Sequence, residues 1–126
     1  MIKFLKFNFN VSVLSLIVIS LFPGSLIGWF LHGDLGQQPD LIKNPYGTTL
    51  NHFIAYFFVS LFGFGIYLKN KNFKKLVFIL FFLSIILEIL QFIIPIRSFQ
   101  LPDLIANMLG VLVALCFIKI YLFFNR

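Results

Sequence analysis

The chain has 126 residues, 60% of them apolar and 11% charged, with a mean hydropathy of +1.01, whereas soluble domains average about 45–50% apolar and about 25% charged. These proportions exclude a water-soluble globular domain, a disordered chain, a collagen and a coiled coil, and they supply about enough apolar residues for four bilayer-spanning helices of roughly 20 residues each. The net charge of +6 does not mark a nucleic-acid binder, because the lysines cluster at the ends of apolar runs and not in a stripe interleaved with stacking side chains.

Four apolar runs, 11–31, 52–68, 76–96 and 104–124, predict an all-α fold, a single domain over residues 1–126 that forms an integral membrane bundle of four transmembrane helices. The first run follows Lys3 and Lys6 and lacks an A-x-A-like cleavage site, so it reads as an uncleaved helix, kinked at Pro23. Ser20, Gly24 and Gly28 recur at intervals of four and predict a close helix contact. Trp29 and Tyr46 suit an interfacial aromatic belt. His32 and Asp34 would need His52 and a further ligand to hold a metal, so they read as interface polarity and no metal or cofactor is assigned.

The second run opens with His52 and Tyr56, one helical turn apart on one face. Lys69, Lys71, Lys74 and Lys75 follow it and, with Lys3, Lys6 and Arg126, make seven basic residues on one side of the membrane against two, Lys43 and Arg97, on the other. Basic residues are retained on the cytoplasmic side. Both termini are therefore expected in the cytoplasm, with 33–51 and 97–102 facing outward and Lys119 snorkelling inward.

In the third run Glu88 stands roughly 12 Å below the outer end by helix rise, where a carboxylate costs a few kcal/mol. Gln91, three residues on, shares its face. Arg97 follows just past Pro95. The fourth run opens with Pro102 and Asp103, which suit a helix start. Asn107 lies four residues deeper on the same face, where an amide needs partners that hydrocarbon does not provide. Ala106, Gly110 and Ala114 form a second small-residue stripe, and whether either stripe packs within one chain or between two stays open. Cys116 is the only cysteine, so no disulfide forms within the chain.

Depth links the polar residues. His52, Tyr56, Glu88, Gln91, Asp103 and Asn107 all fall in the outer parts of their runs, while LVFILFFL and VLVALCFI on the cytoplasmic side are almost purely apolar. An outward-opening polar pocket between the second, third and fourth helices is expected, with Glu88 at its floor and Arg97 near its mouth. The competing expectation is a structural network in which Glu88 and Asp103 neutralise Arg97 and bond Asn107, Gln91 and His52.

The order Glu88, Gln91, Arg97, Asp103, Asn107, Gly110, preceded by His52, Phe53 and Tyr56 in HFIAYF, resembles the VanZ-like family of small bacterial membrane proteins. Many members carry Asp-Lys where this chain has Thr48 and Thr49. The resemblance implies a bacterial cell-envelope role, and through the family's named member an association with resistance to glycopeptide antibiotics, teicoplanin especially. It implies no settled chemical activity.

Three functions follow as alternatives. The first is a non-catalytic binder of an envelope molecule, a lipid-linked cell-wall precursor or a glycopeptide-type compound, with membrane lipids as its surroundings and Arg97 contacting an anionic group. The second is a membrane-embedded enzyme using Glu88 or Asp103 as general base with His52. The third, a small transporter, is disfavoured because the first run carries no acidic residue before Asp34.

Overall fold

The computed structural model describes residues 1–125, so Arg126, counted above toward the membrane orientation, lies outside the described residues. The chain forms α1 (Ile2–Leu21), α2 (Leu26–His32), α3 (Thr49–Tyr67), α4 (Phe73–Leu90) continued by a 3-10 turn (Gln91–Ile93), and α5 (Leu101–Phe124), with no strand among the described residues. Four of these segments are long and apolar enough to cross a membrane: α1, α3, α4 with its 3-10 extension, and α5.

The first span differs from the expected 11–31. Its helix begins at Ile2 and stops at Leu21, and Pro23 ends it instead of kinking it. Proline lacks the N–H that would continue the ladder and drives the residue before it out of the helical region, and Phe22 is accordingly extended at φ −68°, ψ 132°. Gly24 then turns the chain at φ +101°, a conformation costly for any residue with a Cβ. The Ser25 side chain restarts a helix by accepting from Gly28 N–H at 2.9 Å. Ser20, Gly24 and Gly28 are consequently not one helical stripe. Gly24 and Gly28 do permit close approach, but to the backbone of 34–37, where Leu35 O and Gln37 O occupy the space a Cβ would need.

The fourth span keeps its expected packing role. Ala106, Gly110 and Ala114 are buried, and a Cβ on Gly110 would stand 2.6 Å from Phe53 O and 2.9 Å from Phe57 N. The stripe therefore packs within the chain, against α3, and α3 with α5 is the most extensive helix pair. Apolar packing continues below through Phe64, Leu80, Val111 and Ile118. By contrast α1 is largely unburied along its length, and its inner half rests on α3 through Phe9 against Phe62 and Tyr67. Lys6 stacks over the Tyr67 ring at 5.1 Å, which puts the start of α1 beside the end of α3. The α3–α4 turn with its lysines and the end of α5 share this end of the bundle. Asp34, Asp40, Glu88 and Asp103, all the acidic residues of the chain, lie toward the other.

Candidate functional site

Three helices bring the polar residues together near that acidic end. The first turns of α3 carry Thr49, His52 and Tyr56 on one face, those of α5 carry Asp103 and Asn107, and α4 supplies Ser84 and Glu88 before its last turn tightens to place Gln91. Asn107 is the hub. Its amide donates to Glu88 Oε2 at 3.2 Å and to Ser84 O at 3.4 Å, and its Oδ1 lies 3.1 Å from His52 Nδ1. That amide orientation follows from its partners, since Nδ2 faces two acceptors.

His52 is held between two carboxylates. Its Nδ1 is 3.8 Å from Glu88 Oε2, and its Nε2 is 3.4 Å from Asp103 Oδ2. The other oxygens of both acids are engaged as well, since Gln100 N–H donates to Glu88 Oε1 at 3.2 Å and the Thr49 hydroxyl donates to Asp103 Oδ1 at 2.6 Å. Asp103 therefore does more than start a helix, because it ties α5 to α3. Thr49 was not singled out from the sequence, although its position three residues before His52 puts it on the same face.

Arg97 does not neutralise the two carboxylates. It forms no ion pair with Glu88 or Asp103 among the described residues. Its Nε donates to Phe22 O at 3.1 Å and its Nη2 to Ile19 O at 2.8 Å, two carbonyls at the end of α1 that have no helical partner. A cation at a helix C-terminus is also favoured by the helix dipole. Desolvation lowers the pKa of this guanidinium, and the field of Glu88 opposes the shift.

The pocket is also displaced from its expected place between the second, third and fourth spans. Glu88 is 0% exposed and Asn107 1%, and the close α3–α5 contact at Gly110 leaves no space between them. The cavity lies on the opposite side of His52 and Tyr56, toward α1 and α2, with a volume of about 70 Å³. His52, Tyr56, Gln91 and Arg97 line it, joined by Ser20, Ser25, Gln38 and Asn51. No carboxylate lines it. Glu88, Asp103 and Asn107 stand behind His52, whose imidazole links the closed network to the open space. The Tyr56 hydroxyl is fully buried and finds no hydrogen-bond partner among the described residues, an expensive state for a phenol unless something else supplies one.

No curated protein and no solved structure matches the chain. A comparison with known families matches residues 4–124 to VanZ/LLP1. The match runs from α1 through α5 and so takes in both the network and the cavity. The chain belongs to the VanZ/LLP1 family.

Proposed function

We propose that this protein is a non-catalytic binder of a cell-envelope molecule, a lipid-linked precursor or a glycopeptide-type compound, held at the cavity in front of His52. The observation that carries the reading is the convergence of His52, Tyr56, Gln91 and Arg97 on a small polar space at the acidic end of an apolar bundle, with the Tyr56 hydroxyl lacking a partner among the described residues. Polar groups at such depth are expensive, and the network behind His52 is already satisfied without the cavity. Support for a bacterial cytoplasmic-membrane location with both termini inside comes from the lysines gathered at the opposite end. Under this reading the protein protects cells against envelope-directed antibiotics, teicoplanin among them.

One observation favours a second reading, an enzyme acting on an envelope lipid. A histidine between two carboxylates can relay a proton between the cavity and either acid. Both acids are withdrawn from the cavity, so in that case His52 would be the only group of the three to meet a substrate.

The test has two arms. In a Cys116→Ser background, Gln38→Cys at the cavity rim is expected to react with a membrane-impermeant maleimide on intact cells, and Lys71→Cys only after permeabilisation. Wild-type protein is expected to raise survival against at least one envelope-directed compound, and the Gln91→Leu variant, at equal membrane amounts, to lose that protection. Reversed labelling would overturn the outward placement, and equal protection by both proteins would overturn the binding role.

A further inference from the structure

The polar cavity has an apolar neighbour. A cleft of about 550 Å³ lies between the end of α1 and α2 and is walled by apolar side chains alone, among them Leu26, Trp29, Leu31 and Leu41. Ile19 and Ile27 line both spaces, so the polar cavity and the apolar cleft adjoin at these two side chains. Such a pair suits a molecule with a polar head and a hydrocarbon chain.

The head compartment is selective in charge. Among the described residues that line it, Arg97 is the one Lys, Arg, Asp or Glu, and that guanidinium has no acidic partner among the described residues. Its two bonds go to neutral carbonyls, which leaves three of its five N–H donors for another acceptor. The compartment's volume of about 70 Å³ is several times the roughly 10–15 Å³ that one water needs, room enough for a compact polar group. A phosphate-class group suits those free donors.

Resting on the binding role proposed above, we infer that the ligand is an anionic amphiphile: its phosphate-class head enters the cavity beside Arg97, and its hydrocarbon chain lies in the α1–α2 cleft against Trp29. The Pro23–Gly24 break gains a purpose in this arrangement, since it separates α2 from α1 and so creates the cleft.

Trp29 is the only tryptophan of the chain and reports the cleft directly. Full-length protein in phosphatidylcholine nanodiscs is titrated with undecyl phosphate brominated at the chain end, with the equally brominated undecanol, and with inorganic phosphate. The brominated phosphate is expected to quench Trp29 at about tenfold lower concentration than the alcohol, the size of one charge-assisted hydrogen-bonded contact, and inorganic phosphate not to quench. Arg97→Gln is expected to erase that preference. Leu41→Phe, which fills the cleft without touching Arg97, is expected to raise the half-quenching concentration of the phosphate severalfold. Equal quenching by phosphate and alcohol in wild type would mean ordinary membrane lipid at Trp29 and would overturn the inference. Arg97-dependent thermal stabilisation by the phosphate without quenching would overturn the chain's placement while leaving the cavity as a binding site. No Arg97-dependent response of either kind would remove both.

Discussion

Gly110→Leu is expected to eliminate folded protein from the membrane and Gly110→Ala to reduce it strongly, while Gly65→Ala on α3 has little effect. Alanine gains about 1 kcal/mol over glycine in helix propensity, which favours both alanine variants. At Gly110 the new Cβ would meet Phe53 O at 2.6 Å and Phe57 N at 2.9 Å. These are backbone atoms of a helix and cannot swing aside, so α3 and α5 must separate. Overpacking costs about 1–3 kcal/mol even where side chains can adjust, and separation here also pulls His52 from Asn107 and Thr49 from Asp103. Gly65 has nothing within 4 Å of its would-be Cβ. The amount of monodisperse protein extracted in mild detergent, with its thermal midpoint, measures all three.

Glu88→Leu and Glu88→Gln are expected to part widely. Leucine leaves the Asn107 amide, the Gln100 N–H and the His52 imidazole facing hydrocarbon. Removing one member of a buried pair costs about 3–5 kcal/mol, a large share of a small domain's stability. Glutamine can keep one oxygen toward Gln100 N–H, but its amide nitrogen then meets Asn107 Nδ2. Asn107 must flip, losing its 3.4 Å bond to Ser84 O and turning an N–H toward His52 Nδ1. The imidazole adapts by keeping its proton on Nε2, toward Asp103. That rearrangement costs about 1 kcal/mol, one ordinary hydrogen bond. Glu88→Gln should therefore accumulate near wild-type amounts with a modest loss in thermal midpoint, and Glu88→Leu should be degraded.

Much of this architecture was legible in the residues themselves. Glu88 and Asn107 are side chains that a bilayer tolerates only with partners, and their depth led to each other and to His52. Gly110 marked a close helix contact because a small residue in a seam has few other uses. Arg97 was not legible in the same way. Its partners are the carbonyls of Ile19 and Phe22, and a backbone carbonyl has no sequence signature. Thr49 shows in the sequence only as a position without the Asp-Lys of the resembled family, and nothing there signals its bond to Asp103. The cavity's position eluded sequence reasoning for a third reason. Polar residues can be counted along a helix, but empty volume depends on how tightly helices approach, and the α3–α5 contact at Gly110 moves the space to the α1 side of His52. The end of α1 lay between these cases, since Pro23 and Gly24 announced a disturbance without showing that it was a complete break.

Tyr56 offers the most direct test of a ligand site that stands apart from the scaffold. Its ring belongs to the core, and its hydroxyl has no hydrogen-bond partner among the described residues. Removing an unsatisfied buried hydroxyl relieves a cost of about 1–3 kcal/mol, so Tyr56→Phe should be at least as stable as wild type. The decisive measurement compares the lipids that co-purify with wild type and with Tyr56→Phe at equal folded amounts. The account predicts that a phosphate-bearing lipid held by wild type falls about tenfold in the variant, the share of one charge-assisted hydrogen bond, while the thermal midpoint stays level or rises. Identical lipid profiles with unchanged stability would contradict it.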